Sequence, residues 1–409
     1  MFTVLLAASA LALAPEDEQT ILQIEAQRLP PLALASFVAA DDPGTRARAA
    51  RALGRLRTAA ALTPLKRLVS EPQVEVRREA AHALGQTPGS SRVVTDRLND
   101  EVDVETRRRL LLALGTQGDG RSVPVLVAAL ATQPRVLRRP HEATAAAHAL
   151  GRLAMRDVEA ARSPDVTRAL LAALQRPDVG LQRGAAFALA RQGPTMLAAP
   201  LSASLQAATA AVSDANARAF LVRAVANAGD PADPLLAALS TDPSPGVRIA
   251  VARAAARLGW SDLEPLLMDE EVAVQLEAIA AIGTISQLDR AALLQPILDA
   301  GSTLEAAEAW RASADPALHR AAAALDALGR AGLLENAAEL VETTRPTRIR
   351  QSAVPFLDTP SAWQRLALKD GEGSVRTAAA RALAASAPSR TALHALLDAF
   401  DPMVGAIAA

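Results

Sequence analysis

The residues of this sequence best suited to metal chemistry are His141 and Glu142, which open the stretch HEATAAAHALG at residues 141–151. An imidazole and a carboxylate are ligands that iron and zinc accept in proteins. A two-metal carboxylate site needs several such pairs, and this is the only His-Glu dipeptide in the chain. Glu142 is also expected in the first turn of a helix after Pro140, where the helix dipole favours a carboxylate. We therefore predict that the pair binds no metal.

The other reactive side chains form no recognisable catalytic set. His82 and His148 each lie three residues before a glycine, off the predicted apolar face, and are interpreted as solvated. His319 and His394 have no partner at ligand spacing. Cysteine is absent, which excludes disulfides, thiolate metal sites and cysteine nucleophiles. The sequence shows no Ser-His-Asp set, phosphate-binding loop or paired-carboxylate signature. We predict a non-enzyme with no cofactor.

The composition predicts an all-α protein. Half of the 409 residues are hydrophobic, yet only 2% are aromatic. Most apolar residues are alanine and leucine, which are strong helix formers. The net charge of −1 and the shortage of aromatic rings argue against nucleic acid, which is bound by basic surfaces and stacking platforms. Trp260, Trp310 and Trp363 are far apart in the sequence, which favours packing roles.

One pattern recurs along the chain. It has an acidic or Asp-Pro start, a short apolar residue, often an arginine, and an alanine-rich run that ends near Leu-Gly. The clearest copies occupy residues 41–56, 71–86, 101–117, 176–193, 242–259, 269–285, 314–332 and 370–387. A second apolar helix is predicted after each copy, for example at residues 123–132 and 166–175. The repeating unit is therefore predicted to be a helical hairpin.

The segment EPQVEVRREAAHALGQ, residues 71–86, shows how one unit is built. One helical face is formed by Val76, Ala80, Ala83 and Leu84. Gly85 is expected to end the helix in the left-handed conformation. In a later copy, Asp242 is expected to cap a helix whose first turn contains Pro243.

The copies follow one another at a period of about thirty residues. The position after the short apolar residue serves as an anchor, and the anchors are Arg46, Arg77, Arg107, Arg138, Gln182, Arg218, Arg248, Gln275, Arg320, Arg350, Arg376 and Gly405. A single hairpin of this size cannot bury its apolar face, so neighbouring hairpins must stack. We predict an α-solenoid, a stack of helical hairpins.

The pattern resembles the HEAT-repeat family, specifically the short repeats first noted in phycobilin lyases, over roughly residues 40–400. The resemblance implies a right-handed superhelix of helical hairpins with HEAT-like or armadillo-like (ARM-like) repeats. By the same implication, the first helix of each hairpin lies on the convex side and the second on the concave side. It also implies a ladder in which the acidic start of one repeat pairs with the arginine of a neighbour. The expected members are Asp42, Asp178 and Asp242 with Arg46, Arg77 and Arg248, and the expected breaks are Gln182, Gln275 and Gly405.

Two further resemblances concern activity. HEAT-type di-iron hydroxylases bind metal through several His-Glu pairs just before an Ala-Leu-Gly run. Here Glu142 is nine residues before Gly151, and Glu79, at the family position, follows Arg78 rather than a histidine. The N-terminal segment is similar to that of exported bacterial HEAT proteins that carry a cyclophilin-type prolyl isomerase after the array, and this sequence contains no such domain.

The ends of the chain depart from the repeat. Residues 1–14, MFTVLLAASALALA, are too short to span a bilayer but match a signal-peptide core with an Ala-Leu-Ala cleavage site. A buried N-terminal helix is the alternative. Residues 15–40 are predicted to form an N-terminal helical cap, residues 41–400 an array of about eleven HEAT-like repeats, and residues 401–409 the start of an incomplete repeat. Insertions are expected at 152–165 and 302–314. The location is predicted to be periplasmic or in the cell envelope, with the cytoplasm as the alternative.

Charge is distributed unevenly. Residues 121–200 contain 11 basic and 5 acidic residues, whereas residues 201–300 contain 6 basic and 12 acidic residues. This favours a partner of complementary charge or head-to-tail self-contact, with drift on a solvated surface as the alternative.

We predict a non-catalytic scaffold for protein–protein interaction, with an extended groove along the second helices. The candidate partner-binding residues are Arg97, Arg121, Arg168 and Trp363. The predicted partners are unidentified proteins, with no nucleic acid, membrane span or metal. Two alternatives remain open: an accessory or targeting array for a catalytic domain absent from this chain, such as a cyclophilin-type prolyl isomerase, and a phycobilin-lyase-like enzyme.

Overall fold

The structure is a computed structural model that describes residues 14–131, 140–192, 205, 207, 209–229, 234–302, 315–386, 388–399 and 401–408. The described residues form helices and connecting turns, with no β-strand among them. The chain divides into two compact units, residues 1–229 and residues 230–409.

The helices of the first unit are α1 Pro15–Gln27, α2 Ala35–Val38, α3 Pro43–Leu56, α4 Leu62–Leu68, α5 Val74–Leu84, α6 Ser91–Asp100, α7 Val104–Gln117, α8 Ser122–Ala131, α9 Pro140–Met155, α10 Pro164–Leu174, α11 Val179–Leu189 and α12 Ala215–Ala228. Short 3₁₀ turns occupy Pro31–Leu34, Ala59–Ala61 and Glu159–Arg162.

The helices of the second unit are α13 Pro234–Leu239, α14 Pro245–Leu258, α15 Glu264–Leu267, α16 Val272–Thr284, α17 Arg290–Ser302, α18 Pro316–Arg330, α19 Ala337–Leu340, α20 Thr347–Ala353, α21 Pro360–Lys369, α22 Gly373–Ala385, α23 Arg390–Leu397 and α24 Pro402–Ala408. A 3₁₀ turn occupies Val354–Phe356.

Within each unit, the helices that carry the repeated motif stack on one another, and we call them first helices. They are α3, α5, α7, α9, α11 and α12 in the first unit, and α14, α16, α18, α20, α22 and α24 in the second. The helices between them, from α4 to α10 and from α13 to α23, are the second helices, and each packs on the first helix that follows it in the chain. The predicted all-α fold of stacked helical hairpins is confirmed within each unit.

Aspartate side chains start several first helices, and this corrects part of the predicted ladder. Asp42 accepts a hydrogen bond from the backbone N–H of Thr45, and Asp178 accepts one from Leu181. Both carboxylates are therefore N-caps rather than ladder acids. Asp242 was expected to cap a helix directly, but α14 begins at Pro245, and the Asp242 carboxylate accepts from the backbone N–H of Ser244 in the turn before it.

The core of each unit consists mainly of alanine and leucine from the first helices. The predicted face of α5 is confirmed, since Val76, Ala80, Ala83 and Leu84 are all 0% exposed. Fully burying one leucine side chain stabilises a fold by about 1.5–3 kcal/mol. Alanine contributes little area but lets neighbouring first helices approach closely.

The glycine of the Leu-Gly motif has a different role from the one predicted. Gly85 has φ −64° and ψ −15°, which is right-handed α backbone, so the left-handed C-cap is wrong. A Cβ on Gly54 would lie 2.7 Å from the Cα of Ala83, and one on Gly115 would lie 2.7 Å from the Cα of Ala149. The motif has glycine because the next first helix lies against that position.

The arginine ladder is present, but its acids come from the turn of the following repeat. Most anchor arginines in the described chain donate Nη1 to carbonyls of the turn before their own helix, as Arg77 does to Glu71 and Pro72. Its other nitrogens reach an acid further along the chain. The pairs are Arg46–Glu71, Arg77–Glu101, Arg107–Glu142, Arg248–Asp269, Arg350–Asp370 and Arg376–Asp401, with N–O distances of 2.6–3.2 Å.

The predicted ladder breaks at Gln182 and Gln275 keep the turn contact and lose the charge pair. Gln182 Nε2 donates to the carbonyls of Leu174 and Arg176, and Gln275 Nε2 donates to the carbonyl of Asp269. An amide at the anchor position therefore fixes the turn as an arginine does, but without a charge.

The ends of the described chain are packed onto the arrays. Arg48 on α3 donates to Glu18 at 2.8 Å and to Glu25 at 2.6 Å, which ties α1 to α3. Helix α24 lies against α22 and α23 and buries Val404 completely. The predicted signal-peptide core at residues 1–13, Arg138, and residues 303–314 with Trp310 lie outside the described residues. In the described part of the chain, no helix is long and apolar enough to cross a membrane.

Candidate functional site

Four first helices of the first unit, α3, α5, α7 and α9, border a groove of about 500 Å³, which we call the basic groove. Its lining residues are Arg51, Arg55, Glu79, His82, Gly85, Gln86, Arg108, Arg109, Leu112, Ala113, Thr116 and Arg152. Five arginines and one glutamate give this lining a strong excess of positive charge.

Glu79 is the central acid of the groove. It accepts from Arg51 Nε at 3.0 Å and from Arg109 Nη1 at 3.0 Å, so it links α5 to both neighbouring first helices. Burial alone would raise the pKa of Glu79, but the hydrogen bonds from Arg51 and Arg109 outweigh burial and hold that pKa below its usual value. Glu79 is therefore ionised at neutral pH and orients the two guanidinium groups.

A second acid, Glu105, holds the arginines of α7. Arg108 donates to it at 2.6 Å and Arg109 at 2.8 Å. The hydrogen bond from Arg108, opposed by burial and assisted by Arg109, lowers the pKa of Glu105 to about 2. Each guanidinium has five N–H donors, so these contacts leave donors that face the groove.

The groove keeps positive charge after these internal pairs are formed. Arg55 pairs with Glu25 at 2.8 Å, yet its side chain is 51% exposed. Arg152 is exposed and forms no ion pair within the described residues. Counting Glu25 and Glu105 with the lining still leaves more arginines than acids, so an anionic ligand would be attracted.

Small residues set the depth of the groove. Gly85 and Ala113 lie at its floor, and a Cβ on Gly85 would sit 3.3 Å from the Cα of Ala113. Leu112 offers the main apolar surface in the lining. A flat strip between charged walls suits an extended peptide better than a compact apolar molecule.

A row of aromatic rings continues this face across α9, α11 and α12. The rings of His148 and Phe187 are 5.7 Å apart, those of Phe187 and Phe220 are 5.6 Å apart, and the guanidinium of Arg191 lies 5.1 Å from the Phe187 ring centre. Burial, with Arg152 and Arg183 nearby, lowers the pKa of His148. The expectation that His148 is solvated is wrong, because it packs half-buried against Phe187.

The predicted partner-binding residues lie outside the basic groove. Arg97 pairs with the buried carboxylate of Glu101 at 2.8 Å. Arg168 is exposed beside Asp165, and Arg121 is exposed at the start of α8. In the second unit, Trp363 donates from Nε1 to the carbonyl of Val354 at 2.8 Å. A partner surface along the second helices remains a prediction, whereas the groove of the first unit is bordered by first helices.

The metal candidates take structural positions. Glu142 is 2% exposed and accepts from Arg107 Nε at 3.0 Å, as a ladder acid. His82 is exposed and lies 2.9 Å from Gln86 Nε2. Within the described residues, no three histidine or acidic side chains are grouped in a way that could hold a metal ion.

Comparison with protein families now adds to this geometry. A family model described as HEAT repeats matches residues 31–101, and one described as PBS lyase HEAT-like repeat matches residues 106–132. Residues 31–101 and 106–132 therefore consist of HEAT-type repeats. The matched ranges contain α3 to α8 and most of the basic groove, so the groove is built from the repeat itself. None of the curated proteins compared with the chain matches it.

Solved structures share the fold at low sequence identity. Kap95p, in a structure that concerns its binding to RanGDP, is 14% identical to this chain with a TM-score of 0.58. The match covers 95% of this chain and 63% of the Kap95p chain. Importin beta in an ammonium sulfate condition is 14% identical with a TM-score of 0.53, over 96% of this chain and 63% of that one. The chain therefore spans about 63% of the length of these structures. Human deoxyhypusine hydroxylase matches with a TM-score of 0.27, which is too low to carry an argument.

Sequence reasoning missed the basic groove, although a signal for it was present. Glu79 and Arg109 both lie two residues after an anchor arginine, 30 residues apart, and Arg51 lies one helical turn further along its own repeat, 28 residues before Glu79. Reading the exposed positions of the first helices in register would have placed these side chains side by side.

Proposed function

We propose that this HEAT-repeat protein is a non-catalytic scaffold and that its basic groove binds an extended acidic segment of a partner protein. The observation that carries the proposal is the set of five arginines that line the groove beside a single glutamate. Arg152 has no acid of its own in the described chain, and Arg55 remains half exposed. These groups offer N–H donors to carboxylates that the chain itself does not supply.

The length of the groove indicates the length of the segment. Packed helices are about 8–10 Å apart, so the path from α3 to α9 covers roughly 24–30 Å. An extended chain advances about 3.3 Å per residue, so roughly seven to nine residues would cross the groove. Successive side chains of an extended segment point to opposite faces. Acidic residues at every second position would therefore all face the arginines.

The expected binding is electrostatic and sensitive to salt. One exposed ion pair contributes only about 0–1 kcal/mol, so several arginines must act together. Glu79 and Glu105 already orient Arg51, Arg108 and Arg109, which reduces the entropy that binding would otherwise cost. We expect a fast association rate that falls steeply as ionic strength rises.

The likeness to known structures supports the protein-binding class. Kap95p, which shares the fold, binds RanGDP. The two alternatives, an accessory array for a separate catalytic domain and a phycobilin-lyase-like enzyme, have no contact among the described residues in their favour. A periplasmic or envelope location is part of the proposal and rests on the sequence of residues 1–14.

The experiment is a fluorescence-anisotropy titration of the full chain with a labelled peptide of about nine residues that alternates glutamate with small residues. The test variant is Arg152→Glu, which reverses an exposed charge without breaking an ion pair. The matched controls are Arg121→Glu and Arg168→Glu, which reverse exposed charges on or beside second helices. We expect Arg152→Glu to weaken binding roughly tenfold and the controls to change it less than about twofold.

Three results would count against the proposal. The wild-type chain could fail to bind the acidic peptide better than a lysine-rich peptide of the same length. Arg121→Glu or Arg168→Glu could weaken binding more than Arg152→Glu, which would support the surface first predicted along the second helices. A single-stranded oligonucleotide of equal charge could bind more tightly than the peptide, which would favour a nucleic-acid role.

A further inference from the structure

The second unit contains an apolar slot of about 640 Å³ that the proposed function does not use. Its floor is formed by Ile279 and Ile282 of α16, whose side chains are buried. Its walls come from α15 and α17, with Leu267 and Met268 on one side and Leu293 on the other. Met268 is 78% exposed and Leu293 is 38% exposed, so large apolar side chains border an open space.

The slot exists because α15 is only one turn long. Helix α15 has 4 residues, whereas the next second helix, α17, has 13. A short second helix cannot cover the full length of its neighbour, so none of the described helices covers one face of α17. Ala292, Leu293 and Ala300, along that face, are exposed and line the slot.

The two ends of the slot differ in charge. A Cβ on Gly259 would lie 3.6 Å from the side chain of Gln287, which places the turn containing Asp262 beside the start of α17. A Cβ on Gly301 would lie 2.7 Å from the carbonyl of Ala317, which places the end of α17 beside the start of α18. Arg320 on α18 therefore stands at the end opposite to Asp262. From residue 290 to residue 300, α17 rises about 15 Å at 1.5 Å per residue.

Arg320 has spare capacity to bind an anion. As an anchor arginine it would be expected to pair with an acid, yet its partner among the described residues is the amide oxygen of Gln275, which accepts from Nη1 at 3.0 Å. Gln275 is held in turn by the carbonyl of Asp269. Arg320 forms no ion pair within the described residues, so the rest of its guanidinium is free to accept a ligand. A half-buried guanidinium without an acidic partner, next to aliphatic side chains, favours a ligand that has both an anionic group and an apolar chain.

We propose that the apolar slot binds an unbranched aliphatic carboxylate, with its chain along α17 and its carboxylate on Arg320. Aliphatic walls bury methylene groups without any polar partner for them, which excludes sugars and nucleotides as good ligands. Arg320 supplies a planar pair of N–H donors that matches a carboxylate. Asp262 and Glu264 are exposed at the far end and disfavour an anion there, which sets the direction of the ligand.

The test is isothermal titration of the full chain with octanoate and dodecanoate, both below the concentration at which micelles form. We expect one ligand per chain, with affinity that rises by up to roughly fourfold for each added methylene while the slot is unfilled. Dodecylamine, which has the same chain and the opposite charge, should bind much more weakly. Arg320→Gln should weaken dodecanoate binding roughly tenfold or more, because it removes a charged hydrogen bond.

A second variant separates the slot from the stability of the fold. Ala292→Trp places a large side chain in the slot from an exposed position and should abolish binding, whereas Ala238→Trp, on an exposed face of α13, should not. Arg381→Gln, an exposed arginine on α22, is the matched charge control. Circular dichroism checks that each variant is folded. The proposal is overturned if neither carboxylate binds, if dodecylamine binds equally well, or if Ala292→Trp leaves dodecanoate binding intact.

Discussion

Replacing Glu101 by alanine should destabilise the first unit more than any surface ion-pair deletion. Its side chain is 0% exposed and accepts five N–H donors. The donors are Arg77 Nε at 3.0 Å, Arg77 Nη2 at 3.2 Å, Arg97 Nη2 at 2.8 Å, and the backbone N–H groups of Val102 and Asp103 at 3.0 and 2.9 Å. The substitution removes all five acceptor contacts and leaves a largely buried guanidinium without an acid.

The expected cost is about 3–5 kcal/mol of unfolding free energy, the usual result of removing one partner of a buried pair. Glu101→Gln keeps the shape but loses the charge and turns one accepting oxygen into an NH2 donor that faces other donors, so about 1–3 kcal/mol is expected. The matched control is Asp96→Ala, since Asp96 and Arg92 form an exposed pair at 3.9 Å with side chains 69% and 93% exposed. That control should cost less than about 0.5 kcal/mol.

The assay is urea unfolding followed by circular dichroism, combined with hydrogen exchange. In a repeat array each unit contacts only its neighbours, so exchange should accelerate mainly in α5, α6 and α7. The reasoning fails if Glu101→Ala costs no more than Asp96→Ala. It also fails if exchange accelerates equally in every helix, because the effect would then be global.

Three further predictions concern packing, pH and processing. Gly54→Ala should cost about 1–3 kcal/mol, because its Cβ would lie 2.7 Å from the Cα of Ala83, whereas Gly371→Ala, with nothing within 4 Å, should be nearly neutral in the same thermal-unfolding assay. The folded-state pKa values of Glu101 and Glu105 lie below their unfolded values near 4.5. The stabilisation that these carboxylates contribute is therefore complete above pH 4.5 and is lost as the pH falls through their folded-state pKa values. Unfolding free energy measured over an acid titration should show this decline, and Glu105→Gln should make the decline smaller. Intact-mass spectrometry of the protein from its native cells should find a new N-terminus near Leu13, and an intact Met1 in the cytoplasmic fraction would contradict export.

The fold was predictable from the sequence because its determinants are local and repeated. The apolar face of α5 can be read from a single segment, and Val76 and Leu84 are indeed buried. The arginine anchors were recognised for the same reason. Their acids were assigned wrongly because Asp42 and Asp178 are also the natural caps of the helices they precede, and capping takes their carboxylates.

The sites were less predictable because they depend on contacts between repeats. Gly85 was read as a helix terminator, but its role is set by Ala113 in the next first helix. Partner binding by Arg97 stays a prediction, and the sequence alone did not indicate its ion pair with Glu101, one turn later on the chain. The apolar slot exists because α15 is short, and no single residue of the sequence indicates that length.

The most direct test of the proposed scaffold is photo-crosslinking between the full chain and the acidic peptide, with the reactive group at the centre of the peptide. Peptide-mapping mass spectrometry then locates the attachment sites. The basic groove predicts attachment at residues such as His82 on α5, Gln86 in the turn after it, and Leu112 on α7. Attachment confined to α6, α8 or α10 would show that the partner lies along the second helices, and the groove would not be the binding site.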